Sequence, residues 1–192
     1  MYIGRRQHWR PERALVLGTG AIGMLATYFL RLQGLEVWVA GRSGADTPRA
    51  ELAAASGARY VSTVQTPLPV VRKEVGGFDL VVEAVGDAQV MLEVLGLLRR
   101  NGVGCLLGLD SHPRQASLHS TVIGVDTVLE NRVVFGSVNA HASDWRGAVD
   151  QLDAIRSRWP DELEAMVGLR VPPDRFEEAF EFRGVKATLQ FG

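Results

Sequence analysis

The chain has 192 residues, 46% of them hydrophobic and 22% charged, with a formal net charge of −1. That length suits one well-buried domain with at most a small appendage, and that balance gives no electrostatic support for nucleic-acid binding or a polybasic membrane surface. No apolar run reaches the roughly 18 residues of a membrane span, the basic start (Arg5, Arg6, His8) lacks a signal peptide's apolar core, and the lone Cys105 excludes an intrachain disulfide. The cytoplasm is the expected compartment.

Residues 1–13 are polar and basic, with Arg5, Arg6, Arg10 and Arg13, and read as a solvated connector closing on Trp9-Arg10-Pro11-Glu12. The apolar run Ala14 to Leu17 is a first strand, followed at once by Gly18-Thr19-Gly20-Ala21-Ile22-Gly23. In a strand–turn–helix, the first glycine of such a G-x-G-x-x-G permits the tight turn. The second lets a pyrophosphate approach the backbone, and the third lets helix and strand pack closely. The helix N-terminus then offers unpaired N–H groups and the positive end of its dipole to the phosphates. The helix runs from Met24 to Gln33. Its expected sheet-facing residues are Ile22, Leu25, Ala26, Phe29 and Leu30, and Gly34 stops it.

The second strand, Leu35 to Ala40, ends at Gly41-Arg42-Ser43. An NAD-binding fold of this kind carries an Asp or Glu ~20 residues beyond the glycines, to accept hydrogen bonds from the adenosine ribose. Here that acid is absent and an arginine stands beside its place. A guanidinium pairs with phosphate and stacks on adenine, so the pattern favours NADP, with NAD as the alternative.

Thr47-Pro48 opens a helix ending near Ser56, and Arg59 to Ser62 is a third strand. Thr63 to Gly77, with Pro67 and Pro69, reads as a looser stretch. Phe78 to Ala84 is a fourth strand, a helix follows to Arg100, and Val103 to Leu109 is a fifth strand holding Cys105, expected to be buried and inert. Asp110 to Leu118 is irregular, Thr121 to Asn131 is a short helix or loop, and Arg132 to Ser137 is a sixth strand. A helix carrying Trp145, Val149, Leu152, Ile155 and Trp159 is stopped by Pro160. A tail then holds a helix over Asp174 to Phe180 and a last strand over Val185 to Phe191. Strands alternating with helices predict an α/β Rossmann-type fold, a doubly wound parallel six-stranded sheet with helices on both faces.

Several stretches together resemble the NADP-binding half of the archaeal-type glucose dehydrogenases, zinc-dependent medium-chain dehydrogenases. These are Trp9-Arg10-Pro11, Leu17 to Gly23, Gly41-Arg42-Ser43, Phe78 to Gly86, Asn101 to Gly104, and the Asn131 to Asn139 block. The likeness runs over essentially the whole chain, to Glu177-Glu178-Ala179-Phe180 and Lys186. It implies that Gly18, Thr19, Gly20, Ala21, Ile22 and Gly23 line the pyrophosphate, and that Gly41, Arg42 and Ser43 meet the 2′-phosphate. It also implies that Ala84 and Gly86 pass near the cofactor ribose and that Leu107, Gly108 and Leu109 lie by the nicotinamide. Val138 and Asn139 would reach the nicotinamide and the substrate, and Lys186 would approach from the closing strand. Leu107 and Val138 have plain core as an equal reading, and Lys186 a solvated one. Val85 departs from the family, which often has Thr there, and Ser43 stands where relatives often have a second arginine.

The resemblance further implies a small sugar substrate oxidised at its anomeric carbon, a homodimer through the sixth strand, and a catalytic zinc held by a separate N-terminal domain. The histidines here, His8, His112, His119 and His141, form no cluster with metal spacing, so neither catalytic nor metal-binding residues are expected in the chain. It reads as the cofactor-binding half of such an enzyme, inactive alone. Residues 1–13 would be the connector, 14–162 the dinucleotide domain, and 163–192 an extension packing back towards the catalytic half. Two readings compete with this. One is a freestanding NAD(P)-binding redox-sensing or oligomerisation module. The other is a methyltransferase, against which the full glycine motif and the sixth strand argue.

Overall fold

A computed structural model describes residues 9–112 and 115–192; the first eight residues of the expected connector, with Arg5, Arg6 and His8, lie outside the described residues. The elements run β1 (Arg13–Leu17), α1 (Ala21–Leu32), β2 (Glu36–Gly41), α2 (Pro48–Ala55), β3 (Arg59–Ser62), α3 (Leu68–Val75), β4 (Phe78–Glu83), α4 (Ala88–Leu97) and β5 (Leu98–Leu106). A π-helical segment over Val122–Thr127 leads to β6 (Val133–Gly136). Then come α5 (Ala142–Arg158), α6 (Pro160–Met166), β7 (Val167–Val171), α7 (Phe176–Glu181) and β8 (Lys186–Leu189). The main sheet is six-stranded, in the order β3-β2-β1-β4-β5-β6, and every pairing in it is parallel. The expected doubly wound fold is therefore present, and β7 and β8 form a separate parallel pair.

Strand β1 is apolar at successive positions because both its faces are covered. Ala14 and Val16 join one core layer with Met24, Tyr28, Ile155 and Trp159, while Leu15 and Leu17 join the other with Leu68, Phe78, Val94 and Leu97. The order of strands reverses beside β1, since β2 lies on one side of it and β4 on the other. That opens a crevice at the carboxyl ends of these strands, where doubly wound folds bind ligands.

The structure corrects several expectations. Arg13 is part of β1, bonded to Glu36 at 3.1 Å and to the Val75 carbonyl, instead of lying in a solvated connector. Helix α1 is rotated from the expected face: Ile22, Leu25 and Phe29 are exposed, and Gly23, Met24, Thr27, Tyr28 and Leu30 are buried. The cause is Gly23, which must face the turn, because a Cβ there would lie 2.1 Å from the Gly18 carbonyl oxygen. Pro67 and Pro69 do not mark a loose stretch. They open α3, which ends at Gly76 in the left-handed region (φ +78°).

Helix α4 stops at Leu97, short of Arg100, because Leu98 already pairs with Phe78 before a register shift in β5. Strand β5 ends at Leu106, short of Leu109, as the Leu107 and Gly108 amides both turn to the Glu83 carbonyl. Cys105 is half-buried, and that burial pushes its thiol above the ordinary value, away from the thiolate form. Pro160 ends α5 and also begins α6.

Candidate functional site

The crevice holds a cavity of about 770 Å³ between the carboxyl ends of β2, β1 and β4. Its floor is the turn after β1. Gly18 sits at φ +110°, its N–H donates to the Ala40 carbonyl at 2.9 Å, and a Cβ would come within 3.0 Å of the Ala84 carbonyl oxygen. Gly20 is the N-cap of α1 and offers no side chain to it, and the first turn of α1 carries no acidic residue. A Cβ at Gly20 would meet nothing within 4 Å, so the chain leaves open space over the helix N-terminus. Unpaired N–H groups, a positive dipole end and room above them make a seat for an anion.

The wall at the end of β2 is held from β3, from the residue after it and from the N-cap of α2. The Tyr60 hydroxyl donates to the Ser43 carbonyl at 2.8 Å, the Thr63 amide donates to the Gly41 carbonyl at 2.8 Å, and the Thr47 hydroxyl donates to the Gly44 carbonyl at 2.9 Å. Burial pushes the Tyr60 hydroxyl above its ordinary value, with the charge of Arg49 drawing it part of the way back, so the hydroxyl stays a donor. The loop backbone thus fixed carries Arg42 on the cavity lining, exposed to solvent. The lining also includes Arg49 from the first turn of α2.

On the opposite side, β4 ends in Glu83, which is completely buried. Its Oε1 accepts the Val85 and Gly86 amides at 2.7 and 2.8 Å, and its backbone carbonyl takes the Leu107 and Gly108 amides. Asp87 caps α4 through the Gln89 and Val90 amides, and Asp110 accepts the Ala88 amide at 2.9 Å. Residues 84–88 and 107–110 are thereby joined, with Gly86 (φ +76°) so close to Leu109 that a Cβ would lie 2.6 Å from its carbonyl oxygen. Beyond this contact lies a second, shallower cavity of about 400 Å³ lined by residues that include Gly108, Leu109 and Val138.

The sequence-predicted residues divide accordingly. Gly18, Thr19, Gly20, Gly41, Arg42, Ser43, Ala84 and Gly86 line the large cavity, and Gly108, Leu109 and Val138 line the second. Gly23 acts from below, by letting α1 meet the turn. Ala21, Ile22, Leu107, Asn139 and Lys186 line neither cavity; Leu107 packs against a core layer, and Lys186 is exposed in β8 opposite Val167. Sequence reasoning passed over Arg49 and Glu83. For Glu83 a signal was available, a single acid closing an otherwise apolar strand end. Among the described residues no group of three His, Cys, Asp or Glu side chains could hold a metal ion, and no helix is long and apolar enough to cross a membrane.

Comparison with known proteins gives one consistent result. The family described as "Glucose dehydrogenase C-terminus" matches residues 2–191. The glucose 1-dehydrogenase of Methanocella arvoryzae is 34% identical over 192 residues, covering 99% of this chain and 54% of that protein. Glucose 1-dehydrogenase 2 of Vulcanisaeta moutnovskia is 36% identical, covering 99% of this chain and 53% of that one. Among solved structures, Haloferax mediterranei glucose dehydrogenase in complex with NADP, Zn and gluconolactone superposes with a TM-score of 0.88 at 27% identity, over 98% of this chain and 54% of that one. The chain thus spans about half the length of the curated relatives it matches.

Proposed function

The chain belongs to the glucose dehydrogenase C-terminus family, and from that premise we propose that it is the NADP-binding part of an aldose 1-dehydrogenase. The observation that carries this reading is the large cavity itself. An uncapped helix N-terminus over open space sits at one wall, and an arginine with no acid at the end of β2 sits at another. The pyrophosphate would rest on the turn from Gly18 to Gly23, where backbone amides supply the hydrogen bonds. Arg42 and Ser43 would take the 2′-phosphate, a doubly charged group that an acid in their place would repel. Ala84 and Gly86 would border the ribose, and Leu107, Gly108, Leu109, Val138 and Asn139 the nicotinamide, with Lys186 approaching from β8.

When bound, NADP supplies a hydride acceptor for the anomeric carbon of a sugar, glucose by analogy with the relatives' names. The contribution of this chain is to bind and orient. The Glu83 contacts hold in register the two loops that lie between the large cavity and the second one, and the second cavity leaves the ring's end of the cleft open to a sugar. The described residues do not fit a zinc site, so no proton or Lewis-acid step is assigned to this chain. Zinc and most sugar contacts would belong to another part of the full enzyme.

We divide the chain into a connector that ends before β1, the dinucleotide domain from β1 to residue 162, and an extension (163–192) facing that part. A homodimer through the exposed edge of β6, and a cytoplasmic location for a protein with one cysteine, complete the reading. Calorimetric titration with NADPH and NADH tests it. We expect micromolar NADPH binding that Arg42→Ala weakens about tenfold while leaving NADH binding nearly unchanged, as for loss of one charge-assisted contact. Binding of neither cofactor would overturn it.

A further inference from the structure

Arg49 stands in the first turn of α2, beside that helix's positive dipole end, where a cation is disfavoured. Among the described residues it has no carboxylate partner to offset this. Its Nη2 instead donates to the carbonyls of Arg183 and Gly184 at 2.7 and 2.6 Å, the turn that leads into β8, and its Nε is buried with no partner. Two carbonyl contacts from a segment more than a hundred residues away fix the guanidinium, while a donor remains unused. The side chain also lines the same cavity as Arg42 and Ser43. A planar cation anchored on one edge beside the cavity is preorganised for an anion there.

We propose that Arg49 is the second cation of the 2′-phosphate subsite beside Arg42, held there by the turn at 183–184. The proposal rests on the cofactor reading above. It adds a consequence: the C-terminal turn helps build the adenosine end of the cleft, so phosphate binding and docking of that turn favour each other.

The test is calorimetric titration of the wild type, Arg42→Ala, Arg49→Met and Arg49→Lys with NADPH and with NADH, followed by hydrogen exchange of the amides over 185–190. We expect Arg49→Met to weaken NADPH about tenfold and NADH less than about twofold, with Arg49→Lys between wild type and Met because it keeps charge but not the fork. NADPH should protect the 185–190 amides more than NADH does in the wild type, and that difference should vanish in Arg49→Met. The near-normal NADH affinity also shows that the variants are folded. If Arg49→Met weakens both cofactors alike, or neither, while Arg42→Ala still loses NADPH selectively, the cofactor reading stands and this proposal falls. If the wild type binds neither cofactor, both fall.

Discussion

The two ends of the cleft are built to different degrees. At the adenosine end, β1, β2 and β4 meet a glycine turn, and loop carbonyls are held by Tyr60, Thr63 and Thr47. At the far end the lining is apolar and open: Leu109 is 80% exposed and Val138 79%. One end is completed by the chain's own contacts. The other presents apolar side chains that its own fold does not cover, which is the pattern of a surface that meets something else. The difference can be broken or sharpened by substitution, because the completed end should be intolerant and the open end indifferent.

The largest effect is expected at Gly23. A Cβ there would sit 2.1 Å from a backbone oxygen, and neither the turn nor the helix can yield cheaply. Gly23→Ala should cost about 3 kcal/mol in urea unfolding, the upper end for overpacking, and should abolish binding of NADPH and NADH together. Full retention of both would show that α1 does not need its close approach to the turn.

Next comes Glu83. Removing its side chain leaves the Val85 and Gly86 amides without their acceptor and loosens the link between the two halves of the cleft. Glu83→Ala should cost about 2 kcal/mol, the scale for stranding buried donors, and weaken both cofactors alike. Glu83→Gln, which keeps an oxygen for those amides, should lose less. Equal losses for the two variants would mean that the amide contacts do not matter.

A smaller effect is expected at Tyr28, whose hydroxyl donates to the Leu52 carbonyl at 2.6 Å and ties α1 to α2 beneath the cleft. Burial first, and then the charge of Glu162, raise this hydroxyl well above its ordinary value. A raised value means that the folded state keeps a proton that the unfolded chain releases. The contribution is therefore complete below the unfolded value near 10 and lost as pH climbs beyond it. Tyr28→Phe should cost about 1 kcal/mol at neutral pH and flatten the decline above pH about 10. An unchanged alkaline limb would remove Tyr28 as its cause.

What the sequence made legible follows the same division between local and distant causes. The glycine turn could be read because each glycine answers a backbone constraint set by its immediate neighbours. The missing acid after β2 could be read because its place is counted along the chain. Arg49 could not, since it depends on carbonyls at 183 and 184, and Glu83 shows in the sequence only as an acid at an apolar strand end, because its role depends partly on amides at 107 and 108. The phase of α1 differs from its hydrophobic pattern for a related reason: hydrophobicity favours Ile22, Leu25 and Phe29, but the contact of Gly23 with the turn outranks it. Prolines 67 and 69 looked like breakers because their effect depends on whether a helix begins there, which α4 and β4 decide by packing on Leu68 and Val71.

The smallest effect is expected at the open end, and it is the sharper half of the comparison. Leu109 touches Gly86 through its backbone, which a side-chain change leaves in place, and Val138 lies beyond β6 with its side chain in solvent. The double variant Leu109→Ser and Val138→Ser should therefore unfold within about 0.5 kcal/mol of the wild type, as exposed substitutions do. It should also keep its affinity for the adenosine fragment of the cofactor, 2′,5′-ADP, which would not reach this far. A loss as large as that for Glu83→Ala would mean that these side chains serve the chain's own fold. Indifference would leave recognition of another surface, or of the nicotinamide and sugar, as the reason that apolar side chains stand in water there.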